Sequence, residues 1–224
     1  MQKLILAALL LCLLVTPALA ANEFDNEFVQ QDKIAQKKEA MVKLDNQYLD
    51  MAKQAARDPS GAKWDSLRIL YIQSRYYRQA NGAFWSRMEA AGRLAMKTSR
   101  PGDVEIFDTM LKEQYADFRA HVLAIKLAGA GASFIDIGQE QAALDALSTT
   151  ITSHGDGRSK EKAFVIMMAQ EVNLIVENYF GYKLLGLRRS VEAGHTYDIA
   201  SWKNAANGKT GSIWFNVDII VENK

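Results

Sequence analysis

Gly194-His195-Thr196-Tyr197-Asp198-Ile199-Ala200 and, beyond Asn207-Gly208, Ile213-Trp214-Phe215-Asn216-Val217-Asp218-Ile219-Ile220 form the stretch that decides the fold class. Its residues alternate by two, the period at which a strand turns successive side chains to opposite faces of a sheet. Tyr197 and Ile199 point one way, and Thr196, Asp198 and Ala200 the other. Ile213, Phe215, Val217 and Ile219 alternate with Trp214, Asn216, Asp218 and Ile220. Asn-Gly accepts positive φ at both positions, so Asn207-Gly208 predicts a hairpin turn. The expectation is a small antiparallel sheet ending in a β-hairpin and packed on helices. A slip of one residue would set Asp198 against Ile213, Phe215 and Val217 and bury a carboxylate. The register expected therefore pairs Tyr197 and Ile199 with Phe215 and Val217. It places Asp198 on one face with Asn216 and Asp218, and His195 on the other.

Upstream the period lengthens. Phe164 to Met168 is an apolar run short enough for a buried strand, and Glu171 to Phe180 reads as a helix with Val172, Ile175 and Tyr179 on one face. Before Ser153 the apolar residues recur at helical spacing. Trp64, Leu67, Leu70, Tyr71 and Tyr77 make one stripe, Phe84, Met88, Ala91 and Ala95 a second, and Val104, Phe107, Leu111 and Tyr115 a third. Phe118, Val122, Ile125 and Gly129 follow, then Ala143, Leu147 and Ile151. Pro59-Ser60-Gly61, Pro101-Gly102 and Gly129 to Ser133 punctuate them, and Asp103 is the expected N-cap after Pro101-Gly102. Short helices on short connections pack as antiparallel neighbours, and Ala120, Ala124 and Ala128 permit close approach. The fold class expected is α+β: helical-repeat-like antiparallel pairs over residues 21–153, then an α/β region over 154–224.

Residues 1–20 read as a signal peptide. Lys3 supplies the positive start, Leu4 to Val15 the apolar run, and Ala18-Leu19-Ala20 the small residues before cleavage at Ala21. The run is shorter than the roughly 20 apolar residues a membrane span needs, and no later segment is long and apolar enough. Leu10-Leu11 is too bulky for a lipidation box at Cys12, the only cysteine in the chain. The mature chain is then exported, to the periplasm or outside the cell, without a disulfide to hold it. The formal charge of +1 falls to zero once Lys3 is removed, which leaves no electrostatic footprint for nucleic acid.

Asp156-Gly157-Arg158-Ser159, Ala163-Phe164-Val165, Gly194-His195-Thr196-Tyr197-Asp198 and Phe215-Asn216-Val217-Asp218-Ile219 stand in the order and spacing of a bacterial family's D-G-K-S, A-F-V, G-H-S-Y-D and F-N-V-D-I. Phe118-Arg119-Ala120-His121 looks like that family's helical R-A-H segment. The chain thus resembles a family catalogued only as a domain of unknown function, the DUF 4919 type. Arg158 and Thr196 are mild departures from its pattern. The resemblance implies helices followed by a small sheet in an exported bacterial protein, and no activity.

The polar face of the hairpin is the expected binding site: Asp198, Asn216 and Asp218, with Asp156 from the glycine turn and His195 at the strand start. Carboxylates and an amide on one face suit a hard cation or acid–base work, although a solvated strand face explains the same residues. His121, His154 and His195 are scattered and show no zinc-ligand spacing, and nothing in the chain calls for a metal or cofactor. Ser159-x-x-Lys162 and Lys209-Thr210-Gly211 match two signatures of penicillin-recognising enzymes, but the third is missing and the two stand too close together. Trp202 and Trp214 read as packing aromatics. The function expected is a periplasmic or secreted peptide- or protein-binding or scaffold module, with its partner in a groove of the helix pairs. The alternative is a hydrolase or metal-dependent enzyme centred on Asp156, His195, Asp198 and Asp218.

Overall fold

The computed structural model describes the backbone of residues 2–80 and 82–222, with the side chains of residues 30–80 and 82–220. The chain divides into two units, residues 1–44 and 45–224. The first is helical, within α1 (Gln2–Arg57). The expected leader, with Cys12, falls on residues whose side chains lie outside the described ones. Among the described residues no helix is long and apolar enough to cross a membrane.

The second unit is α+β. It starts with the last turns of α1, where Tyr48, Ala52 and Ala55 recur at helical spacing and are buried. Next come α2 (Trp64–Gln73), α3 (Arg75–Gln79), α4 (Gly82–Thr98), α5 (Pro101–Glu113), α6 (Phe118–Gly129) and α7 (Ile137–Ser153). The stripe expected to run from Trp64 to Tyr77 is broken at Ser74. That residue adopts an extended conformation, and its hydroxyl accepts from the Tyr76 amide and so restarts the helix as α3. Asp103 does not cap α5. The helix starts two residues earlier with Pro101, whose missing N–H costs nothing at that end. Asp103 instead accepts the Thr98 hydroxyl at 2.7 Å. Asp117 and Asp136 cap α6 and α7.

Helices α4, α5 and α6 enclose one core, around Phe84, Met88, Phe107 and Leu127, with the fully buried Ala120 and Ala124 allowing close packing. A second core runs from Tyr48, Trp64 and Tyr71 through Leu147 and Ile151 to Phe164, Ile175 and Phe215. That core crosses Ser153, so the change of periodicity there is a change of element type within one packed unit.

The sheet contains β1 (Phe164–Val165), β2 (Lys183–Glu192), β3 (His195–Lys203) and β4 (Thr210–Asn216) in the order β1-β4-β3-β2. It is mixed, whereas the alternation predicted a purely antiparallel one: β1 pairs parallel to β4, Phe164 opposite Phe215. The chain between β1 and β4 runs through α8 (Glu171–Asn173), a π-helical turn over Leu174–Tyr179 and then β2 and β3, a connection long enough for parallel pairing. The π turn replaces the regular helix expected over Glu171 to Phe180 and buries Leu174, Ile175 and Val176. The Asn207-Gly208 turn is present, but only Gly208 takes positive φ, at 70°. The chain does not end in the hairpin, since α9 (Asp218–Glu222) follows β4.

The register also differs from expectation. Asp198 stands opposite Phe215, and Tyr197 opposite Asn216. This is the slip the sequence argument rejected on the cost of a buried carboxylate. The cost is met from the other neighbour: Arg189, directly opposite Asp198 on β2, grips both of its oxygens at 2.8 and 2.9 Å.

Candidate functional site

Cross-strand partners share a face of the sheet, so the observed register separates the expected site. Asp198 lies on the face of Phe215 and Ala200, committed to Arg189. Asn216 and His195 lie on the face of Tyr197. Asp156 stays in its own turn, where Oδ1 accepts the Arg158 amide at 2.9 Å and Oδ2 lies 3.7 Å from the Lys162 ammonium. Among the described residues no group of three or more His, Cys, Asp or Glu side chains is placed to hold a metal ion.

His195, Asn216 and Asp218 do meet. Asp218 opens α9 immediately beyond β4, and its carboxylate turns back onto the start of β3. Oδ1 accepts the Thr196 amide at 2.6 Å, and Oδ2 lies 2.7 Å from His195 Nδ1 and 3.1 Å from the Asn216 amide. The Asn216 carbonyl in turn accepts the Asp218 N–H at 3.0 Å. Partial burial works to raise the Asp218 pKa, but the Thr196 amide, His195 and Asn216 outweigh it and hold the carboxyl below the usual carboxylate range. An acid that fixes Nδ1 leaves Nε2 as the working nitrogen of an imidazole. The His195 side chain is 58% exposed, and among the described residues no hydroxyl or thiol donates to it.

This cluster gives a pH-dependent prediction. Asp218→Ala leaves the Thr196 N–H without its acceptor and is expected to cost about 1–2 kcal/mol at pH 6. Because the folded pKa is depressed, the stabilisation is present above the unfolded value of about 3.9 and is lost as pH falls through the lower folded value. Urea midpoints of the protein and the variant should differ at pH 6, and the gap should begin to narrow as pH falls below about 4. A constant gap down to pH 3 would contradict it.

The strongest polar features were not legible in the chain. Arg68 of α2 and Glu171 of α8 are fully buried and form a two-pronged ion pair, Nε to Oε1 at 3.1 Å and Nη2 to Oε2 at 2.8 Å. Glu171 also accepts the Met167 and Met168 amides. Fully buried His121 holds Glu140 at 2.7 Å through Nδ1 and the Tyr115 carbonyl at 2.7 Å through Nε2. A carbonyl only accepts, so Nε2 carries a hydrogen and the His121–Glu140 contact shares one further proton. At the α5–α6 turn, Asp117 pairs with Arg119, while Tyr71 donates to Gln114 at 2.5 Å. These groups lock helix to helix. His121, from the R-A-H segment, is thus a packed histidine that joins α6 to α7. Lys162 faces Asp156 and Lys209-Thr210-Gly211 closes the hairpin, which gives both penicillin-enzyme signatures local jobs. No family model, curated protein or solved structure matches this chain.

Proposed function

We propose that the protein is an exported module that binds an extended, acidic segment of a partner protein along β2. The observation that carries this reading is a free sheet edge with exposed large apolar residues. Strand β2 is one of the two edges of the sheet and pairs only with β3 among the described residues, and Leu185, Leu187 and Val191 are 53%, 52% and 70% exposed. An unpaired edge offers main-chain hydrogen bonds to an added strand, and alternate side chains supply selectivity. Lys183 and Arg188 are exposed on the same strand, Arg189 is spent on Asp198, and Glu192 on Lys160. The edge therefore favours an acidic partner over a basic one. A bulge between Leu184 and Gly186 limits how far a flat strand can run along it. On this reading the partner lies along the sheet edge, whereas the sequence suggested a groove of the helices. Export rests on the leader residues Lys3, Leu4 to Val15 and Ala18-Leu19-Ala20.

Hydrogen exchange of residues 185–191 tests this, with a synthetic peptide of alternating valine and glutamate as probe. The expected result is slowed exchange that is absent with a valine–lysine peptide and lost in Arg188→Glu. Equal slowing by both peptides, or none by either, would overturn the reading. So would protection that grows with protein concentration alone, which would assign the edge to a second copy. One observation favours the alternative of a hydrolase or metal-dependent enzyme: Asp218 orients His195. A rise in melting temperature with calcium or zinc, abolished in Asp218→Asn, would support that reading.

A further inference from the structure

We infer that the Asp156-Gly157-Arg158 turn and Trp202 form a binding site for a small carboxylate with an apolar body. The site stands independently of the β2 edge. A cavity of about 210 Å³ lies between that turn, Tyr182, Trp202, Ser212 and Ile213. It gathers Asp156, Gly157 and Arg158 of the D-G-R-S motif, which the β2 reading leaves without a role.

The walls of the cavity are fixed. Trp202 stacks on Tyr182 at 4.1 Å and 16°, and Tyr182 on Phe180 at 5.6 Å and 10°. Gly211, opposite Trp202 on β4, leaves room for the indole, since a Cβ there would lie 2.5 Å from ring carbon Cζ2. Gly157 takes a φ of +67°, and a Cβ on it would lie 2.7 Å from the Phe164 ring and 2.9 Å from Ile213. The Gly157 carbonyl accepts the Trp214 amide at 2.8 Å. The turn that carries Arg158 is therefore pressed onto the sheet and cannot drift.

Two of the residues lining this cavity, Arg158 and Trp202, carry side chains that can only donate. Trp202 Nε1–H is buried and has no hydrogen-bond partner. An indole can only donate, and a buried donor left unpaired is costly. Arg158 is exposed, and among the described residues its guanidinium makes no ion pair. Asp156 is the one acid on the cavity, and its charge is met by the Arg158 amide and Lys162. A guanidinium fork and a single N–H complement the flat oxygen pair of a carboxylate, and Ile213 and Tyr182 suit a short apolar body. Phosphate would bring a second negative charge toward Asp156, so the site favours the singly charged group.

The test follows the Trp202 indole N–H by proton–nitrogen NMR on the full chain, with the resonance assigned by its loss in Trp202→Phe. Propionate, phosphate and chloride are titrated at constant ionic strength. The expected result is a saturable shift with propionate, at least tenfold weaker in Arg158→Gln, whose melting temperature should match that of the unaltered protein. An unmoved resonance would overturn the assignment. So would an equal response to chloride or phosphate, or propionate binding unchanged in Arg158→Gln.

Discussion

Arg68→Ala is expected to destabilise the protein by about 3–5 kcal/mol, the range for removing one partner of a buried ion pair. Arg68 and Glu171 are both fully buried, so the carboxylate left behind has no water to turn to. It would keep the Met167 and Met168 amides as donors but lose both prongs of the guanidinium. Arg68 also lies 3.4 Å from the Val165 carbonyl of β1, so the substitution loosens the joint between α2 and the sheet edge. Arg68→Lys should recover only part of the loss, because an ammonium cannot reproduce the fork. Arg68→Met combined with Glu171→Gln should recover more, since it removes the isolated charge and still leaves a carbonyl for one amide. Urea unfolding at neutral pH measures all three. A loss under about 1 kcal/mol for Arg68→Ala would mean that water reaches Glu171.

The sequence could not disclose this pair, because its partners stand 103 residues apart. Arg68 sits between Leu67 and Ile69, where a helical stripe leaves a polar residue looking solvated. What the chain did disclose was local. The stripes of Trp64, Leu67 and Tyr71, of Phe84 and Met88, and of Ala143, Leu147 and Ile151 are buried as expected. The two-residue period of the hairpin is present as well. Each miss came from a partner outside the local window. Register depended on Arg189, in a strand so exposed that its own periodicity carries little signal. The parallel β1 depended on β4, some fifty residues further on. The break at Ser74 has neither proline nor glycine to announce it.

The candidate site was legible to the same degree. His195, Asn216 and Asp218 come together, but through a turn into α9 that the continued alternation of Val217, Ile219 and their neighbours concealed. The face argument assumed that β4 runs past Asp218, whereas it ends at Asn216. Asp198 was drawn away by a salt bridge, and Asp156 by its own turn. An expected polar patch thus becomes three separate polar arrangements, each fixing a different piece of backbone.

Phe215→Ala is expected to cost about 3–5 kcal/mol, the range for truncating a buried aromatic. Phe215 is fully buried, stands opposite Phe164 in the parallel pair, and approaches its ring at 5.9 Å. It lies in the same core as Ile151 and Ile175, so the cavity would open where sheet, α7 and the π turn meet. The backbone bonds of β4 remain, and they limit how far the strand can collapse into the space. At roughly 2–4 °C per kcal/mol for a domain of this size, the melting temperature should fall by about 6–20 °C. Asp218→Ala, in the polar cluster beyond the same strand, should cost clearly less at pH 6. Urea midpoints for the two variants make the comparison. Equal losses would mean that the Asp218 cluster supports the sheet as strongly as the aromatic core does, and that the terminal turn is part of the fold's foundation.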